Sequence, residues 1–236
     1  MPGHGLCSLI DFRKGKEIEH DPAKTSVFAG FFCLLFETQL QGILGRMNRS
    51  EIPLLLASAS PRRLDLLQAA GFCPQVRIPD VDETPLPGES ALALVERLAL
   101  SKAKSIAVAD WITVAGDTVV EIQGQILGKP ETPAEAVRML EKLSGSSHRI
   151  IGGWCVCKGD RLFYGVEQCL VEFRTLDSAE IDAYVESGEP SDKAGSYAIQ
   201  GGARDFVRQF RGYWSNAIGL PLIPVTFAAE SLFASD

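Results

Sequence analysis

An unbroken apolar run from Pro53 to Ala57 leads within three residues into Ser60-Pro61, and this junction constrains the fold more than any other feature of the chain. A run of that length without alternation suits a strand buried on both faces. Ser60 then stands as a helix N-cap, with Pro61 at the first helical position, where a missing N–H costs nothing. The helix runs through Arg62, Leu64, Leu67 and Gln68, and Gly71 is its stop. A buried strand feeding a helix through a tight turn is the building unit of an α/β sheet.

The rest of the chain continues in that style. Leu92, Val95, Leu98 and Ala99 line one face of a helix expected from Ser90 to Val108. Ile112 to Ala115 reads as a second buried strand ending at Gly116-Asp117-Thr118, and strands resume from Val119 to Leu127 around Gln123-Gly124. Thr132, Pro133 and Glu135 form the signature of a capping box for a helix that ends at Leu143-Ser144-Gly145. Arg149 to Cys157 and Leu162 to Arg174 read as a hairpin turning at Lys158-Gly159-Asp160. A helix starts near Asp177, with Glu180 at its third position, and stops at Gly188. A Gly- and Ser-rich loop spans Ser191 to Gly202, followed by a strand near Phe206 to Phe210 and a helix after Pro221. The expected fold class is α/β, a mixed central β-sheet flanked by helices. Ligands of open α/β sheets sit beyond strand carboxyl ends, and the polar clusters Ser58–Arg63 and Gly116–Thr118 are both expected there.

Residues 1–50 read differently. Asp11 to Lys24 is polar without period, and Val27 to Phe36 is a short apolar run that fits a signal-like core or a packed helix. The expected organisation is an N-terminal extension over 1–50, poorly ordered or an artefact of a start at Met47, followed by one α/β domain over 51–236. No stretch approaches the ~20 apolar residues that span a bilayer. The net charge is -7 with no basic run, which argues against polymeric nucleic acid as a partner but not against a small anion held by a few cations. Six cysteines include no C-x-x-C pair, and Cys155 and Cys157 are expected as buried free thiols on one face of a strand, as in a reducing cytosol.

Ser58-Ala59-Ser60-Pro61-Arg62-Arg63 is the first candidate site. A helix N-terminus offers free N–H groups and a positive dipole end; two hydroxyls add donors, and two guanidinium groups match phosphate oxygens. Alone, the pattern fits equally a capped helix with two solvated arginines. Asp117, beside Gly116 and Thr118, could hold a divalent ion, orient a water, or merely cap a turn. Asp82-Glu83 alone would pass for a solvated acidic loop, and Lys102 and Lys129 for surface lysines.

In order along the chain, L-A-S-A-S-P-R-R-L-D-L-L, Asp82-Glu83, Leu98-Ala99 with Lys102-Ala103, Ala115-Gly116-Asp117-Thr118 and Gly128-Lys129-Pro130 resemble the Maf family of nucleoside triphosphate pyrophosphatases. The resemblance continues through Leu143-Ser144-Gly145 with His148, Ser187-Gly188-Glu189-Pro190, the segment Asp192 to Gly201, Ser215-Asn216 and Gly219-Leu220-Pro221-Leu222. It covers roughly Leu54 to the C-terminus.

That resemblance implies an elongated Maf or inosine-triphosphatase-like fold with a cleft between two lobes. It implies hydrolysis of a nucleoside triphosphate to monophosphate and pyrophosphate by metal-assisted attack of water at the α-phosphorus, in a cytoplasmic enzyme, as a homodimer. Asp117 matches the family's proton acceptor, and Glu83 a carboxylate associated with the metal, Mg²⁺ or Mn²⁺; Mg²⁺ prefers oxygen ligands and keeps several waters. Ser58, Ser60, Arg62, Arg63, Lys102 and Lys129 would hold the phosphates. His148 is read as structural. The Ile199-Gln200-Gly201 ending resembles the branch acting on dTTP and UTP, with Arg62, Thr118 and Gln200 marking substrate preference; an amide offers a donor and an acceptor to a pyrimidine edge. The alternatives are a pyrophosphatase for 7-methyl-GTP or other modified nucleotides, and a non-enzymatic nucleotide-binding regulator of septum formation.

Overall fold

The computed structural model describes residues 9–11, 16–18 and 48–234. The chain divides into two compact units, Met1–Met47 and Asn48–Asp236. In the first, strands β1 (Leu9–Asp11) and β2 (Lys16–Ile18) pair antiparallel. The apolar run Val27 to Phe36, Met47, Cys7 and Cys33 lie outside the described residues.

The second unit is built on one seven-stranded mixed sheet. Its strands are β3 (Leu54–Ala57), β4 (Gln75–Arg77), β5 (Ile112–Ile122), β6 (Gln125–Leu127), β7 (Ser147–Lys158), β8 (Arg161–Phe173) and β9 (Val207–Arg211). The order is β4-β3-β5-β7-β8-β9, with β6 also on β5. Only β3 pairs in parallel, with β4 on one side and β5 on the other. All four residues of β3 are buried, as an apolar run between two strands requires. The helices are α1 (Pro61–Ala69), α2 (Ala91–Ile106), α3 (Pro133–Leu143), α4 (Ser178–Glu186), α5 (Trp214–Ile218) and α6 (Leu222–Phe233). The mixed sheet with flanking helices is the expected architecture.

One expectation is corrected. Gly116-Asp117-Thr118 does not end a strand: β5 runs unbroken from Ile112 to Ile122, paired with β7 from Thr113↔Cys157 to Glu121↔Arg149. The glycine that reads as a turn signal is needed for packing instead. A Cβ on Gly116 would lie 3.1 Å from Leu220 and 3.5 Å from the Arg63 Nε.

The layers follow from glycines on the central strands. A Cβ on Gly153 would strike the Val95 carbonyl at 2.1 Å, so α2 lies directly on the β7 face that also carries Ile151 and Cys155. Small residues complete that contact: Ala57, Ala99, Ala103, Ala115, Cys155 and Cys157 are buried together. On the opposite face, a Cβ on Gly152 would strike the Asn216 Oδ1 at 2.0 Å, which places α5 there. A larger core joins β5, β7 and β8 to α3 and α4 through Leu140, Leu143, Ile150, Phe173, Ile181 and Phe206.

Helix ends obey local chemistry. Ser90 caps α2 through Ala93 N, and Asp177 with Glu180 forms a complete capping box on α4. At α3 the box is half formed, because Thr132 accepts from Glu135 N while Glu135 accepts from Glu131 N. Ser60 occupies the N-cap position of α1 without a capping hydrogen bond; the Ser58 Oγ accepts from Ser60 N instead. The loop expected over Ser191 to Gly202 is a chain of 3₁₀ turns.

Candidate active site

The site is a gap in the sheet. On the side of β5 away from β7, β3 pairs only as far as Ala57↔Ala115, and β6 begins at Val120↔Leu127. The four residues between, Gly116 to Val119, have a strand on one side only. Both flanking strands run toward the gap and end there. β3 delivers Ser58 and the α1 N-terminus, and β6 delivers Gly128-Lys129. Asp117 is therefore mid-strand yet still beside the carboxyl end of a parallel strand, the position where open α/β sheets bind ligands.

A cavity of about 480 Å³ occupies the gap. Its lining includes Ser58, Ser60, Arg62, Arg63, Glu83, Lys102, Asp117, Thr118, Lys129 and Gln200, so every candidate residue read from the sequence meets at one place.

Because successive strand residues alternate faces, Asp117 and Thr118 point to opposite sides of β5 at the gap. On the α2 side, the Lys102 Nζ lies 2.6 Å from Asp117 Oδ1 and 2.7 Å from Glu83 Oε1. Lys102 and Asp117 are buried, with side chains 6% and 11% exposed, while Glu83 is 59% exposed. The close seating of α2 on Gly153 lets a buried lysine reach across to the strand. Two carboxylates thus converge on one ammonium. Among the described residues no cluster of three or more His, Cys, Asp or Glu is arranged to hold a metal. Two convergent carboxylates nonetheless match an ion that takes one or two of them and completes its shell with water and phosphate oxygens.

On the opposite face, Arg63 is built into the protein. Its Nε donates to the Gly219 carbonyl at 2.8 Å, and its terminal nitrogens donate to Ser58 Oγ at 3.0 Å and Thr118 Oγ1 at 3.2 Å. Burial lowers the guanidinium below its ordinary pKa, and the nearby Asp117 charge opposes that. Gly219, at φ 146°, turns its carbonyl to this position from the end of α5. Arg62 is freer, with Asp192 at 3.6 Å as its partner.

The far wall is the 3₁₀ segment. Gly195, at φ 67°, sits so close to Val120 that a Cβ would lie at 2.9 Å, and its N–H donates to the Gly128 carbonyl at 2.9 Å. This ties the wall to the Lys129 turn. Gly201 approaches Glu189 closely, and Glu189 accepts from Gly202 N, which fixes the turn carrying Gln200. Behind the wall, the buried Tyr197 hydroxyl meets His148 Nε2 at 2.7 Å. Burial lowers His148 to about 4 and raises Tyr197, so His148 stands in the core as a neutral ring.

Two charged residues at the cavity had been given no role by the sequence. Lys193 and Asp192 both line it, and hydrogen bonding from Lys193 lowers the Asp192 carboxyl. Their signal was present in the Asp192 to Gly201 segment, but adjacent unlike charges in a loop read as solvated. Cys155, Cys157 and Cys169 are buried free thiols, whereas Cys73 is exposed. No helix among the described residues is long and apolar enough to cross a membrane.

Known proteins resemble this chain over most of its length. A dTTP/UTP pyrophosphatase of Symbiobacterium thermophilum is 44% identical over 171 residues, covering 72% of this chain and 88% of the relative. Those of Geobacter sulfurreducens and Sphingopyxis alaskensis are 46% and 47% identical, covering 73% and 77% of this chain and 92% and 95% of theirs. The structure of the Staphylococcus aureus Ham1 protein matches with a TM-score of 0.44 and 13% identity over 78% of this chain and 99% of that one, too distant to bear on the site. The family described as Maf-like protein matches residues 53–231, and this chain belongs to it.

Proposed function

We propose that this protein hydrolyses nucleoside triphosphates, dTTP and UTP foremost, to the monophosphate and pyrophosphate, and that residues 51–236 carry the activity. The observation that carries the reading is the gap in β5's ladder, where three carboxylates and five basic side chains surround one cavity. The relatives named dTTP/UTP pyrophosphatase support the choice of substrate.

Each residue then has a physical task. Asp117 accepts the proton of the water that attacks the α-phosphorus, a role that requires a carboxylate fixed in position, as its burial and its bond to Lys102 provide. Lys102, Lys129 and Arg62 neutralise the polyphosphate, while Arg63 holds Ser58 and Thr118 in place beneath it and contributes its charge. Ser58, Ser60 and the α1 N-terminus receive phosphate oxygens. Glu83 and Asp117 would hold a divalent cation, Mg²⁺ or Mn²⁺, which when bound would offset the charge of the phosphate oxygens. Gln200 reads the pyrimidine edge, with Arg62 and Thr118 contributing to preference. Phosphoryl chemistry of this kind depends on positioning and charge stabilisation more than on covalent catalysis. The protein works as a homodimer.

The test is release of pyrophosphate from dTTP, UTP, CTP, GTP and 7-methyl-GTP, each with and without Mg²⁺ or Mn²⁺. The expected result is metal-dependent release, fastest from dTTP and UTP. A preference for the methylated purine would overturn the substrate choice. Nucleotide affinity without release from any of the five would replace the enzyme with a binding regulator.

A further inference from the structure

Among the described residues, the outer strand β8 is covered along only part of its length. β9 pairs with it from Leu170 to Phe173, and α5 reaches it at Glu167 and Cys169 through Asn216. Among the described residues, no strand other than β7 pairs with Arg161 to Val166. Backbone direction along β8 alternates: Phe173 N donates to Ser146, on the β7 side, and Arg174 N to Phe206, on the β9 side. Carried back with a period of two, this turns the backbone groups of Leu162, Tyr164 and Val166 to the uncovered side. Leu162 and Tyr164 are also among the exposed large apolar side chains, at 38% and 50%. The segment holds no proline or lysine, the usual devices that keep an edge from pairing.

We propose that this edge joins a second copy of the chain, antiparallel about a two-fold axis at Tyr164, so that the two sheets become continuous. The commitment to a second copy comes from the register. Centred on Tyr164, Arg161 of each copy lies opposite Glu167 of the other, Leu162 opposite Val166, and Phe163 opposite Gly165. Unlike charges thus meet on one face, apolar residues and the two tyrosines meet on the other, and an aromatic ring covers a glycine. Centres at Phe163 or Gly165 would set Arg161 opposite Gly165 or Cys169 and lose the charge match. Glu167 has no cation partner among the described residues, and partial burial raises its carboxyl above its ordinary range, as fits a group awaiting one. The row Asp117, Gly153, Val166 crosses three adjacent strands, so this interface would lie two strands from the cavity. This edge is the surface of the proposed homodimer and is independent of the nucleotide that the cavity takes.

Tyr164→Cys tests it in the full chain carrying Cys7→Ser, Cys33→Ser and Cys73→Ser. Facing residues of an antiparallel pair have Cα atoms ~4.5–5.5 Å apart, within disulfide reach. Mild oxidation should convert Tyr164→Cys to a covalent dimer and leave Gln168→Cys in the same background uncoupled. By sedimentation velocity the unmodified chain should run as a dimer, Glu167→Arg should weaken association at least roughly tenfold, and Arg161→Glu with Glu167→Arg should restore it; tenfold corresponds to about 1.4 kcal/mol. A monomeric unmodified chain, equal cross-linking at 164 and 168, or a double variant no better than Glu167→Arg would overturn the proposal. Pyrophosphate release is measured in parallel, so that a chain that dimerises but does not hydrolyse separates the two readings.

Discussion

The two faces of β5 at the gap handle positive charge differently. On the α2 face, Lys102 is held by two carboxylates. On the opposite face, Arg63 is held by a carbonyl and two hydroxyls, all fixed by the fold. The first arrangement can be rearranged by a ligand, since a cation or phosphate can replace either partner of an ion pair. The second cannot be rearranged without opening the junction of β3, α1 and α5. One face supplies charges that respond to substrate, and the other supplies the frame that keeps them aligned.

Substitutions should separate those duties, beginning with the largest effect. Asp117→Asn keeps the volume and removes the proton acceptor, so turnover should fall by roughly 10²- to 10⁴-fold, with a smaller loss of stability because the buried Lys102 keeps only the exposed Glu83 as its partner; full turnover would exclude Asp117 from the proposed role. Arg63→Lys should reverse that pattern. It cannot satisfy Gly219, Ser58 and Thr118 together, and about 3 kcal/mol of stability should be lost, as read by urea unfolding.

A pH experiment probes the frame without touching the cavity charges. His148 is lowered from 6.5 to about 4 by burial, so between those values the unfolded chain binds more protons than the folded one. Stability is therefore fully present above pH 6.5 and falls as the pH drops toward 4, by at most about 3 kcal/mol. His148→Gln should flatten that slope in unfolding curves taken at pH 7 and pH 5; an unchanged slope would remove His148 from the account. Arg62→Lys should have the smallest effect on stability, within about 0.5 kcal/mol. The 27% exposed Arg62 side chain has only the 62% exposed Asp192 as an ion-pair partner. Its signature should be a raised KM for nucleotide, the mark of an exposed phosphate contact.

Much of this was legible in the chain. The β3–α1 junction is written in five apolar residues and a Ser-Pro, and the α4 cap in Asp177 and Glu180, because local chemistry decides both. The middle of β5 was not legible. Gly116-Asp117-Thr118 has turn composition, and it stays a strand through its unbroken pairing with β7, a partner distant in sequence that no local signal announces. β4 was missed because three exposed residues carry no apolar period, and α5 because it is five residues long. The candidate residues were found as a set through the ordered motifs. Their pairing, Lys102 with the carboxylates and Arg63 with the backbone, depends on which face of a strand each meets, and no spacing in the sequence records that.

The central claim is that the gap in β5 presents water to the α-phosphorus of a bound triphosphate. Hydrolysis of dTTP in ¹⁸O-labelled water, with the products resolved by mass spectrometry, addresses it directly. The account predicts one labelled oxygen in dTMP and none in pyrophosphate. Label in pyrophosphate, or release of orthophosphate with dTDP, would contradict it.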